Sequence, residues 1–222
     1  MNIKPTSPVW DFPTRLFHWL LAVLVAFSWY SAEFSTSLDA RDWHAYSGYA
    51  ILGLVIFRVI WGFIGGRYAR FCNFLRGPGQ IISYLRGRDT ESVSRGHNPL
   101  GALSVIGLLL LLLVQTVTGL MSNDDILFEG PLFHLVDKET SDLLTTIHHY
   151  CWSVLRVLIV IHIVAVLAYL VIKRDNLILP MITGRKTGEA SADGPPVIMP
   201  VHRAIAAVLI AAAITWLITG YL

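Results

Sequence analysis

The chain has 222 residues, 55% of them hydrophobic and 14% charged, and carries a formal net charge of +2. Its mean hydropathy is positive, and runs such as Val105 to Val114 offer water no polar face. That excludes an ordinary soluble domain and marks an integral membrane protein, with no nucleic-acid partner expected.

Five segments are long enough to cross the ~30 Å of hydrocarbon in a bilayer. In chain order they are about Leu16 to Ser31, Tyr46 to Gly65, Pro99 to Met121, Cys151 to Ile172 and Val201 to Tyr221. The first is short and leans on Trp10, Phe12, Trp29 and Tyr30 as interfacial anchors. A cleaved signal peptide is its rival reading, weakened by bulky Trp29 and Tyr30 where a cleavage site wants small residues. The loop from Ser122 to Thr146 is long and acidic, and the stretch from Gly184 to Pro200 reads as a flexible linker before the fifth span.

With the N-terminus in the cytoplasm, thirteen of the seventeen Lys and Arg fall on that side, and only Arg41 and Lys138 fall opposite. The positive-inside rule is then met in every loop, which leaves the C-terminus outside. The outer loops hold nine of the fifteen acids (Glu33, Asp39, Asp42, Asp124, Asp125, Glu129, Asp137, Glu139 and Asp142); against two cations, they give a net charge near −7. Ordinary solvation explains such a surface, and so does docking of a basic extracytoplasmic partner.

Cys72 and Cys151 lie on opposite sides of this topology and belong to no CxxC motif, so neither a disulfide nor a c-type haem attachment is expected. The chemistry falls to membrane-depth ionisable groups, which are costly enough to point to function. These are His18, His44, His148, His149, His162, Arg58 and Arg156. His18 and His162 lie toward the inner ends of the first and fourth spans. His44 and His148 lie at the outer mouths of the second and fourth.

His148 and His162 are fourteen residues apart on one helix, so they project within about 40° of each other and roughly 21 Å apart along the axis. His149 is turned about 140° from His162, which selects His148 for the outer layer and leaves His149 an interfacial or propionate-contacting residue. Zinc wants four ligands, and no acid is expected at either depth. Haem iron needs two axial ligands in trans, so two histidines per layer fit two bis-histidine b haems, with metal sites built between facing helices of a bundle. Such ligation leaves no open site for oxygen and implies electron transfer.

Arg58 repeats the fourteen-residue interval from His44 and is expected at the inner layer. There it either meets haem propionates, the anions anticipated at that depth, or snorkels to the inner interface. Arg156 lies between the layers, toward a propionate or a bundle-facing salt bridge. Gly48 either admits a porphyrin face or packs against a helix.

Four stretches carry a resemblance: Val9-Trp10-Asp11-Phe12-Pro13-Thr14-Arg15-Leu16-Phe17-His18-Trp19; Trp43-His44-Ala45-Tyr46-Ser47-Gly48-Tyr49 through Phe57-Arg58-Val59-Ile60-Trp61-Gly62-Phe63; Gly96-His97-Asn98-Pro99-Leu100-Gly101; and His148-His149 to His162. Over about residues 8 to 186 the chain resembles the bacterial cytochrome b family. That family includes the b-type cytochrome subunits of nickel-iron hydrogenases, the membrane subunit of formate dehydrogenase and cytochrome b-561. The resemblance implies a four-helix core that holds two haems, so an all-α transmembrane bundle is expected over residues 1–183; the long acidic outer loop from Ser122 to Thr146, and the additional helix expected over 201–222 after the linker 184–200, depart from the hydrogenase forms and leave the partner open. His18 and His162 would hold the inner haem, and His44 and His148 the outer. It further implies the bacterial inner membrane, a quinone or quinol substrate, and a redox partner such as a small periplasmic c-type cytochrome, with a homodimer left open. In relatives an asparagine opening the third helix lies beside the quinone, and Asn98 after His97 is similar; the alternative is that Asn98 only caps that helix.

The function so implied is relay of electrons between the quinone pool and a periplasmic redox protein, as a quinone-linked oxidoreductase subunit. A stand-alone quinone or superoxide oxidoreductase is a second reading, disfavoured by an acidic face that repels an anion. A haem-free transporter or metal channel lined by histidines is a third.

Overall fold

A computed structural model of the chain describes residues 6–37, 39–75, 77–86, 99–126, 128–187 and 201–220. Strand β1 (Thr6–Pro8) precedes α1 (Phe12–Glu33) and α2 (Ala40–Ile64); two short helices, α3 (Phe71–Phe74) and α4 (Pro78–Leu85), lead to α5 (Pro99–Leu120). A single 3-10 turn (Phe133–Leu135) precedes α6 (Lys138–Val171), and α7 (Ile178–Thr183), strand β2 (Arg185–Thr187) and α8 (Val201–Thr219) complete the order. By length and composition α1, α2, α5, α6 and α8 each suffice to cross a membrane, so the protein is an all-α, multi-pass membrane protein.

Helix boundaries follow local capping rather than hydropathy. α1 begins four residues before Leu16 because the Asp11 side chain accepts from Thr14 N at 2.9 Å, with proline in the first turn. α6 begins thirteen residues before Cys151, since Asp137 accepts from Thr140 N at 2.7 Å and nucleates a helix inside the expected loop. At 34 residues, α6 is roughly 51 Å long and overshoots the hydrocarbon. The connection from Ser122 is correspondingly shorter than the sequence suggests, and it is fixed by Asn123 Nδ2, which donates to Ser141 Oγ at 2.7 Å and to Asp142 at 2.9 Å.

α1 packs along α2, α2 along α5, and α5 along α6. One core joins Phe17, Phe57, Trp61, Leu109, Ala207 and Ala211; a second joins Ile51, Val55, Leu112 and Leu155. The fifth spanning helix, α8, is therefore part of the packing: Ala207 and Ala211 lie flat against the bundle, and Gly53 of α2 faces Thr215. Small residues at this seam let the backbones approach closely, which is how helices gain contact where lipid is as apolar as leucine. Most of α6 beyond its contact with α5 presents exposed valine and isoleucine, as at Val157, Val160 and Val164.

The segment read as a linker starts in ordered structure. β2 pairs antiparallel with β1, and Gly184, at φ 81°, makes the left-handed turn between α7 and β2. Its backbone carbonyl accepts from Val9 N at 2.8 Å. The α7 carbonyls bind α1 in turn: Ile182 O accepts from Arg15, and Met181 O from Trp19 Nε1 at 3.2 Å.

Candidate functional site: two layers of facing histidines

α6 runs opposite α1 and α2 and places one histidine against each. His162 faces His18 of α1, with ring centroids 6.4 Å apart; His148 faces His44 of α2 at 6.1 Å. The four residues grouped by depth in the sequence thus meet as two pairs at opposite ends of the bundle.

The two layers differ in what holds the rings. His44 Nδ1 lies 3.0 Å from the Ser28 carbonyl and 3.2 Å from Ser28 Oγ. His148 Nδ1 lies 2.9 Å from the Gln115 carbonyl and 3.3 Å from Thr118 Oγ1. A carbonyl only accepts, so each Nδ1 carries the proton and the lone pair of each ring is on Nε2. Gln115 also donates from Nε2 to His148 Nε2 at 2.9 Å. Gly119 makes the space for this ring, because a Cβ there would sit 3.0 Å from His148 Cε1. In the other layer His18 Nδ1 is buried without a hydrogen-bond partner among the described residues, and the edge of Trp19 meets the ring at 5.0 Å.

Two imidazoles in trans on one metal ion, with metal–nitrogen bonds of about 2.0 Å, set their ring centres about 6.3 Å apart. Both pairs match that span. No group of three or more His, Cys, Asp or Glu that could hold a metal occurs among the described residues.

Other expected participants are placed less uniformly. His149 is exposed on the far side of α6. Arg156 is exposed too and stacks on Trp152 at 5.7 Å, which corrects the expectation of a bundle-facing salt bridge. A Cβ on Gly48 would touch nothing within 4 Å, so helix packing in this chain does not require a glycine there. His134 and His202 are exposed. His97 and Asn98 lie outside the described residues.

Arg58 does not snorkel. It is 3% exposed, and its guanidinium sits over the Phe71 ring at 4.9 Å with Nη1 unpartnered among the described residues. The expectation that propionates would be the only anions there needs correction, because Asp11 lies close enough to act on Arg58 electrostatically. Asp11 also accepts from Trp61 Nε1 at 3.2 Å and from Gly66 N at 3.3 Å, tying the start of α1 to the end of α2. Sequence reasoning passed over Asp11, Ser28, Gln115, Thr118 and Gly119. Only Asp11, three residues before Thr14 with proline between, and Gln115, the one amide in the apolar run of α5, gave a readable signal.

At the His44–His148 end both cations are paired. Arg41 binds Asp124 at 3.0 Å, and Lys138 binds Asp125 and Asp142, each at 2.5 Å. Backbone donation from Thr140 holds the Asp137 carboxyl below the usual range. At the other end Tyr84 and Tyr169 hydroxyls meet at 3.1 Å, and this bond with partial burial pushes the Tyr84 phenol up to about 12.

Compared with known protein families, residues 9–184 match the family described as prokaryotic cytochrome b561. Comparison with curated proteins and with solved structures gave no match.

Proposed function

The chain belongs to the prokaryotic cytochrome b561 family, whose members are membrane b-type cytochromes of electron transfer, and on that premise we propose that it is a dihaem cytochrome b linking the quinone pool to a periplasmic redox protein. The observation that carries this reading is the pair of facing histidine couples, at 6.4 and 6.1 Å. Their separations fit one metal centre held between the two rings of each pair.

Bound between the rings, haem supplies one-electron redox chemistry. The rest belongs to the chain. His18 and His162 hold one centre, and His44 and His148 the other. The carbonyls of Ser28 and Gln115 fix the outer tautomers. Arg58, a buried cation whose Nη1 is unpartnered among the described residues, would be the residue to receive a haem propionate. Asn98, with His97, binds a quinone oxygen at the inner end. Thirteen cations against two support an N-terminus in the cytoplasm and a C-terminus in the periplasm of a bacterial inner membrane. The acidic loops then form the periplasmic face, which suits a basic c-type cytochrome.

A reduced-minus-oxidised spectrum with pyridine haemochrome quantification tests this directly. Two b haems per purified chain are expected, falling to one in His162→Ala; one haem or none in the parent protein overturns the reading.

A further inference from the structure

The rings of the two histidine layers differ in what they contact. Both rings of the His44–His148 layer donate from Nδ1 to a backbone carbonyl, Ser28 O at 3.0 Å and Gln115 O at 2.9 Å. In the His18–His162 layer the Nδ1 of His18 is buried with no partner among the described residues. An imidazole that donates to a carbonyl is the more basic ligand, and a more basic ligand favours the oxidised metal over the reduced one.

Surrounding charge acts in the same sense. Loops at the His44–His148 end hold nine acids and two cations, and both cations are already paired with aspartates. A negative field disfavours an added electron. The opposite end carries thirteen Lys and Arg against the remaining six acids in its loops, with the buried Arg58 guanidinium, a net positive field that favours one.

We propose that Ser28 and Gln115 are positioning residues whose backbone carbonyls hold the His44–His148 centre at a lower reduction potential than the His18–His162 centre. This rests on the reading of each pair as the axial ligands of a haem, but not on the orientation of the chain in the membrane.

Backbone carbonyls cannot be removed by substitution, but Gly119 gives access to one of them. A Cβ at this position would lie 3.0 Å from His148 Cε1 and 3.3 Å from Nδ1, tight enough that the ring must give by a few tenths of an ångström. Gly119→Ala therefore presses the ring away from α5 and weakens its bond to Gln115.

The test is a potentiometric titration of the haem α-bands in the purified holoprotein in lipid nanodiscs. His44→Ala and His162→Ala, each lacking one ligand, assign the two waves. The lower wave is expected to disappear in His44→Ala, with the waves separated at least tenfold in electron partition, about 59 mV for one electron. Gly119→Ala should raise the lower wave and leave the upper in place. Coincident waves, a lower wave that disappears in His162→Ala, or a Gly119→Ala protein with both waves unmoved would overturn the proposal. Where a histidine variant fails to fold, the wave that Gly119→Ala moves identifies the His148 centre. A parent protein with fewer than two haems overturns the paired-centre reading itself, before any potential is compared.

Discussion

Gln115 holds His148 at both ring nitrogens: its carbonyl oxygen lies 2.9 Å from Nδ1, and its side-chain amide donates to Nε2 at 2.9 Å. The first contact orients the ring, whereas the second occupies the nitrogen that iron needs. Gln115→Leu keeps the carbonyl and removes the competing amide. Net loss of one such hydrogen bond is worth about 1 kcal/mol, so the apoprotein should take up its second haem roughly fivefold more tightly. Haem titration followed at the Soret band checks this, and weaker uptake would show that the amide supports the site.

Asp11 serves three donors at once: Thr14 N, Trp61 Nε1 and Gly66 N. Asp11→Ala strips the α1 cap and leaves a buried indole N–H unpaired, at a cost of about 2–4 kcal/mol. Asp11→Asn keeps one acceptor oxygen, enough for Thr14 N or for the Trp61 Nε1 and Gly66 N pair but not for both sides, and should lose less than Asp11→Ala. Thermal melting in detergent, read by circular dichroism, separates the two variants. Equal losses would mean that a single acceptor oxygen is not enough to hold the start of α1 to the end of α2.

Arg58 is buried over Phe71 with one nitrogen free of protein partners among the described residues. If it receives a propionate, Arg58→Leu should weaken haem retention in the His18–His162 layer about tenfold or more, whereas the other layer keeps its haem. Arg58→Lys should restore little, because an ammonium lacks the planar fork. Haem content after gel filtration, split by the distinct α-bands, gives the answer.

The loops at the His44–His148 end have both their cations, Arg41 and Lys138, committed to aspartates. Electron exchange with a basic c-type cytochrome should therefore slow about tenfold or more between roughly 0.01 and 0.15 M salt, as charge steering is screened. Asp39→Asn with Asp42→Asn should flatten that dependence. A rate insensitive to salt would remove the case for an acidic docking face.

Tyr84 and Tyr169 tether α4 to the end of α6 through hydroxyls 3.1 Å apart. The Tyr84 phenol is pushed up to about 12 from 10.0, so the folded state binds its proton more tightly than the unfolded state. The stabilisation is complete below pH 10, the unfolded value, and is lost as pH rises toward about 12. Tyr84→Phe should cost about 1 kcal/mol at neutral pH and flatten the decline above pH 10. Melting temperatures across that range measure both.

Much of this protein was legible in the chain itself. Hydropathy marked all five spans because a lipid-exposed helix must be apolar on every side, and α6 still shows this at Val157, Val160 and Val164. Helical periodicity put His148 and His162 on one face and His149 on another. These are properties of one helix and its solvent, so no tertiary contact was needed to read them. The helices α1 and α6 extend beyond the membrane-crossing segments, since capping by Asp11 and Asp137 is a local hydrogen-bond effect that hydropathy does not register.

Only the folded structure decided the contacts between elements. It brought Asp11 to Arg58 and Trp61 across forty-seven and fifty residues, laid α8 on α2, and turned Arg156 away from the bundle onto Trp152. It also distinguished the two histidine layers, because a backbone carbonyl such as that of Ser28 or Gln115 is identical in every residue. Its role depends on where packing places it, and packing is a property of several helices together.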